Sequence, residues 1–327
     1  MCLLAFALSL VRHKSFSIES IRDVQLEKSN IIRKSGLLEF IPADHTTEEI
    51  GGLDLLKAWL SERKRAFSEK AQAFGLPNPK GVLVVGVPGS GKSLSAKAIS
   101  SAWNLPLLRF DIGKVFGSLV GQSEEQMRRA LQLAETISPC ILWIDELEKG
   151  MAGLQGSGAS DSGVTARVLG TFLTWMQEKT RPVFVFATAN NVNALPPELL
   201  RKGRFDELFY VDLPSEVERK DILRIHLTKR RRNPEAFDLG QLARESDGFG
   251  GAEIEQAIVS GLYRAFSLNR DLQTTDIVEA CRATKPLSQI MKAHIERIRE
   301  WGATNARPAS SGMVEAVGED NKRRLFF

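Results

Sequence analysis

Cysteine is scarce in this chain: three among 327 residues, at Cys2, Cys140 and Cys281. An odd, widely scattered set offers no disulfide framework and points to a reducing, cytoplasmic compartment. Histidine is nearly as rare, and His13, His45 and His294 lack metal-ligand spacing, which argues against zinc. Charge of one sign is not in excess. Lys+Arg 44 against Asp+Glu 40 leaves +4, too small a surplus to argue for a nucleic-acid partner. No apolar run reaches the length of a transmembrane helix, so no membrane span is predicted. The apolar opening, residues 1–11, lacks a basic leading segment and a small-residue cleavage site. It reads as a helix fragment or a misplaced start, not as a signal peptide. Internal repeats are absent.

What is present is concentrated in residues 86–93, Gly-Val-Pro-Gly-Ser-Gly-Lys-Ser, which fit G-x-x-x-x-G-K-[ST]. The apolar, β-branched run before it (Gly81, Val82, Leu83, Val84, Val85) suits a strand buried on both faces. A helical pattern follows through Leu94, Ala98, Ile99 and Ala102. Strand, glycine loop and helix together are the context of a phosphate cradle. Glycines let backbone N–H groups turn inward, and the helix points its positive end at the same place. The cradle set is Pro88, Gly89, Ser90, Gly91, Lys92, Ser93 and Leu94. In it Lys92 reaches the β- and γ-phosphates and the Ser93 hydroxyl sits on Mg²⁺.

Four more apolar runs read as strands: 107–111, 140–145, 183–189 and 208–213. Helical patterns separate them, as at 124–137 and 164–177. This alternation predicts an α/β fold, a doubly wound parallel sheet of about five strands with helices on both faces. A lysine-, arginine- and glutamate-rich helix is expected from about residue 53 to 74. The Gly/Ser-rich insert 153–163 reads as a mobile loop. After Pro214 the strands stop, and helical segments at 215–229, 239–245, 252–268, 275–284 and 288–301 read as a small all-α lid domain. The expected organisation is a helical connector at 1–40, a nucleotide-binding domain at 41–213, the lid at 214–305 and a disordered tail at 306–327.

The second strand of the set, Ile141-Leu142-Trp143-Ile144-Asp145-Glu146, ends in two carboxylates where an open α/β sheet binds ligands. Asp145 suits Mg²⁺ and Glu146 suits polarising the attacking water. The third signal, Phe184-Val185-Phe186-Ala187-Thr188-Ala189-Asn190, places the Asn190 amide beside the γ-phosphate and water. Residues 201–204, Arg-Lys-Gly-Arg, taken alone read as a solvated basic turn.

Taken together, residues 48–305 resemble an AAA ATPase module. The specific resemblance is to the family found in cyanobacteria and encoded in algal plastids as hypothetical chloroplast reading frame forty-six. It rests on residues 31–39 (Ile-Ile-Arg-Lys-Ser-Gly-Leu-Leu-Glu), 170–179 (Gly-Thr-Phe-Leu-Thr-Trp-Met-Gln-Glu-Lys) and 195–207 (Leu-Pro-Pro-Glu-Leu-Leu-Arg-Lys-Gly-Arg-Phe-Asp-Glu). Members of that family are typically longer at the N-terminus. The resemblance implies a P-loop NTPase fold, the cofactors ATP and Mg²⁺, and a nucleotide-dependent homo-oligomer, a hexameric ring acting on protein partners. For a plastid-encoded chain it implies the stroma. It implies that Arg201 and Arg204 are arginine fingers acting on the neighbouring subunit's nucleotide. Ile50 and Gly51 match the loop on adenine, His226 the lid histidine, and Gly251 with Ala252 the lid-helix start, without a sensor arginine. Residues 118–121 match the first pore loop, with Leu119 where many relatives carry an aromatic, and 153–163 the second. Two other readings stand beside remodelling: a nucleotide-dependent binding switch, and a DNA-handling clamp loader.

Overall fold

Successive side chains of the strand Gly81–Gly86 (β2) enter two different cores. In the computed structural model, Val82 and Val84 pack with Leu56, Trp59, Ile99 and Trp103. Leu83 and Val85 pack on the other face with Met127, Phe172 and Met176. This is the period-two burial of a strand covered on both sides. The structure describes residues 32–33, 35–42, 49–116, 122–154, 159–201 and 203–312.

The other strands are Leu38–Ile41 (β1), Leu107–Phe110 (β3), Cys140–Ile144 (β4), Val183–Ala189 (β5), Glu207–Val211 (β6) and Arg307–Pro308 (β7). They form one sheet in the order β1-β3-β4-β5-β2-β6-β7. Only β1, antiparallel to β3, departs from parallel pairing. Helices Asp54–Arg63 (α1) and Lys92–Trp103 (α2) cover one face. Gln122–Ile137 (α3) and Ala159–Glu178 (α4) cover the other. The order puts the carboxyl end of β5 between those of β4 and β2, and the site is built there.

Four helices build a separate core: Glu216–Lys229 (α5), Leu239–Glu245 (α6), Gly251–Ser267 (α7) and Thr274–Ala283 (α8). Leu223, Leu227, Leu242, Ile258 and Ile277 meet there. The first of these helices starts at Ser215, whose Oγ accepts from the Glu218 N–H while Glu218 Oε2 accepts from the Ser215 N–H at 2.9 Å. That reciprocal cap follows Pro214 directly and ends the linker.

The structure departs from the sequence expectations at several places. The last helix, Lys292–Asn305 (α9), leaves the lid and lies on the sheet, with Ile298 in the core beside Tyr210. Gly302 allows that approach: a Cβ there would lie 2.4 Å from the Tyr210 ring. The expected disordered tail is ordered at its start. β7 pairs with β6, and Ala309 and Ser310 are buried. Leu38 to Ile41 form an edge strand, not a helical connector. The charged helix expected up to residue 74 is two, Asp54–Arg63 and Glu69–Ala73, the second capped by Ser68. The described residues of the insert 153–163 are helical: a 3-10 helix runs Leu147–Leu154 and α4 begins at Ala159. The first pore-loop match, 118–121, and most of the segment 1–37 lie outside the described residues. Among the described residues no helix is long and apolar enough to cross a membrane.

Candidate active site

The cradle lies between β2 and α2. Gly89 and Gly91 take φ of +75° and +91°, where a side chain would be strained. Lys92, only 5% exposed, folds back on the loop: its Nζ donates to the carbonyls of Gly86 at 2.9 Å and Val87 at 2.7 Å. Burial pulls its pKa down to about 8, against the pull of Glu148, Asp145 and Glu146. Among the described residues the Ser90 hydroxyl is buried with no hydrogen-bond partner. A buried ammonium, an unpaired hydroxyl and the amino end of a helix are a donor set that suits an anionic phosphate.

The acids come from the end of β4. Ser93 Oγ donates to Asp145 Oδ1 at 2.8 Å, and Thr188 Oγ1 donates to the same oxygen at 2.7 Å. Thr188 Oγ1 in turn accepts from the Glu146 N–H at 3.0 Å. Thr188 sits on β5, the strand adjoining both β4 and β2, so one hydroxyl fixes the turn that carries both acids. Glu146 holds φ +52°, an uncommon conformation for a residue with a side chain. Its Oε1 accepts from Asn190 Nδ2 at 3.0 Å, and its Oε2 pairs with Lys149. Ser93, Asp145, Glu146 and Asn190 are therefore one hydrogen-bonded group, with Lys92 beside them.

The lid closes over the cradle. The Ala252 N–H donates to the Gly89 carbonyl at 3.4 Å. Gly51, Ser90, Ile222 and Gly251 share a cavity of only about 20 Å³, far too small for a purine with the lid in this position. Ile50 is buried in the core of α1 and α2, and Leu94 packs against that core. The Ile50 carbonyl accepts from Lys57 Nζ at 2.5 Å. Pro88 is half-buried beside Gly89.

Three expected site residues stand apart. The polar contacts of His226 are with Glu255 at 3.6 Å and Arg230 at 3.5 Å, both in the lid. Burial lowers its pKa, with Glu255 opposing. Arg201 is exposed, and Arg204 Nη1 donates to the Leu173 carbonyl at 2.7 Å. Among the described residues no hydrogen bond or ion pair joins either arginine to the cradle.

Sequence reasoning missed Thr188, Glu148 and His294. A hydroxyl inside an otherwise apolar buried strand needs a partner, and that signal would have found Thr188. Glu148 lies two residues past Glu146, and its Oε1 accepts from the Asn190 N–H at 2.9 Å. Burial raises its pKa. His294 reaches Asn190 from 104 residues away, beyond any local pattern.

Residues 82–213 match the family described as "ATPase family associated with various cellular activities (AAA)". The "Uncharacterized AAA domain-containing protein ycf46" of Pyropia yezoensis is 48% identical over 303 residues, covering 92% of this chain and 61% of that protein. The protein of the same name from Guillardia theta is 46% identical over 295 residues, covering 90% and 58%. A "Cell division cycle protein 48 homolog" of Archaeoglobus fulgidus is 33% identical over 257 residues, covering 76% and 34%. The chain thus spans 61% and 58% of the length of the first two relatives. The cradle, the acid pair and the strands β3 to β6 all fall within the matched segment, and residues 82–213 are an AAA domain.

Proposed function

We propose that this protein hydrolyses ATP with Mg²⁺ and uses the energy to remodel partner proteins as a ring of identical subunits. The observation that carries the reading is the continuous set Ser93–Asp145–Thr188–Glu146–Asn190 at the carboxyl ends of β4 and β5, facing a cradle with Lys92 buried in it. Lys92 exchanges its loop carbonyls for phosphate oxygens. Ser93 and Asp145 are the residues that hold the cation, which when bound offsets phosphate charge. Glu146 accepts the proton of the attacking water, and the Asn190 amide orients that carboxylate. Arg201 and Arg204 act on the neighbouring subunit's nucleotide, and Ile50, Gly51, His226, Gly251 and Ala252 enclose the base and ribose. The compartment we assign is the cytoplasm or, for a plastid-encoded chain, the stroma.

The test is Glu146→Gln. Turnover falls by at least about a hundredfold, while ATP binding, followed with a fluorescent analogue, is kept. Unchanged turnover removes Glu146 from the chemistry. A second reading, a nucleotide-gated binding switch with hydrolysis as a timer, draws support from the engagement of both Glu146 oxygens, by Asn190 and Lys149. Stimulation of turnover by unfolded protein substrates favours remodelling, and its absence favours the switch.

A further inference from the structure

Asn190 is held by its backbone as firmly as by its side chain. Its N–H donates to Glu148 Oε1 at 2.9 Å, and its carbonyl oxygen lies 3.2 Å from His294 Nε2. A carbonyl can only accept, so this bond places the proton on Nε2. Glu148 is 9% exposed, and among the described residues its second oxygen is buried without a hydrogen-bond partner. His294 is carried on α9, anchored on the sheet by Ile295, Ile298 and the close approach of Gly302 to Tyr210.

The segment leading into α9 is tied to the lid where the lid meets the cradle. Glu253 Oε2 accepts from the Gly250 N–H at 2.8 Å, next to Gly89, and Glu253 Oε1 accepts from the Leu287 N–H at 2.8 Å. A chain of direct contacts therefore runs from the cradle through the lid-helix start to α9 and back to Asn190.

We propose that Glu148 and His294 are positioning residues that grip both backbone groups of Asn190. They aim its amide at Glu146 and couple the position of the lid to that amide. The proposal rests on the hydrolytic reading above. Neither residue belongs to the phosphate cradle, so loss of either lowers kcat and leaves nucleotide affinity in place.

The experiment uses the full chain and compares His294→Ala, His294→Gln, Glu148→Ala and Glu148→Gln, each also in an Asn190→Ala background. His294→Ala and Glu148→Ala lower kcat about tenfold, with KM and affinity for a fluorescent ATP analogue within about twofold. The glutamine variants keep a donor or an acceptor at the right place and stay near wild type. In the Asn190→Ala background the alanine changes cost less than about twofold further. A further tenfold loss there, or an equal loss of affinity, overturns the proposal, because it marks a role not exerted through the Asn190 amide. Should the alanine variants fail to fold, reduced kcat in both folded glutamine variants overturns it, and near-wild-type kcat in them upholds it. Wild-type protein without turnover sinks the hydrolytic reading separately. The resonance of the Asn190 side-chain amide then reads the grip: it shifts in His294→Ala and returns in His294→Gln if the proposal holds, and stays fixed or shifts equally in both if it does not.

Discussion

Thr188 shows how much of the site hangs on a residue outside the phosphate cradle. Its hydroxyl donates to Asp145 and accepts from the Glu146 backbone. Removing it leaves a part-buried N–H without that partner, at a cost of about 1 kcal/mol, and frees the turn bearing both acids. Thr188→Val should lower kcat about tenfold while the melting temperature falls only slightly; kinetics beside a thermal melt checks both. Lys92, Ser93, Asp145 and Glu146 were legible in the sequence because their spacing is local and their chemistry permits few substitutes. Asn190 was legible because it closes an apolar strand. Thr188 was legible in principle, and His294 was not, since only folding brings residues 190 and 294 together.

Among the elements, the central strands β2 to β6 were readable because burial leaves mostly apolar runs, interrupted at Arg109 in β3 and Thr188 in β5. The edge strands were not: β7 spans two residues, too few for a period to appear, and β1, as short as β3, is covered far less, with Glu39 exposed and Phe40 and Ile41 half-buried. The last helix was assigned to the lid by its order in the chain, whereas its packing partner Tyr210 lies far upstream. Gly302→Ala tests that packing. Alanine in an exposed helix stabilises by up to about 1 kcal/mol, but here its methyl would meet three Tyr210 ring carbons at 2.4 to 2.7 Å. A net loss of about 1–3 kcal/mol is expected, seen as a lower melting temperature. In the lid, Asp276 closes the start of α8 and is gripped by both terminal nitrogens of Arg270 at 2.7 Å. Arg270 holds the Asp276 carboxyl below the usual carboxylate range. A folded-state pKa below the unfolded one stabilises at neutral pH, and that contribution is lost as pH falls from about 4 through the folded value. Asp276→Asn should therefore cost about 2 kcal/mol at pH 7, with the difference from wild type shrinking as pH falls below about 4, as urea titrations at neutral and acid pH would register.

For the whole molecule, the informative fact is where the two arginines are. Arg204 rests on the Leu173 carbonyl and Arg201 is exposed, so a single chain does not bring either guanidinium to its own cradle. Fingers supplied by a neighbour are worth about 10³–10⁵ in rate. Solution mass should rise with a slowly hydrolysed ATP analogue and Mg²⁺, and Arg204→Ala subunits should depress wild-type partners out of proportion to their share in mixed assemblies. Rates that simply average would place the fingers elsewhere. One junction draws three distant parts of the chain together. Ser310 Oγ donates to Glu218 Oε1 at 2.6 Å, and the Leu53 N–H faces both oxygens, at 3.1 Å from Ser310 and 3.4 Å from Glu218. Glu218 rides on the first lid helix, so any rotation of the lid pulls one of those oxygens away and leaves that amide half-shielded. Leu53 is thereby a built-in gauge: its deuterium uptake would quicken when the lid lifts and slow when it shuts, reading the lid's position without a label.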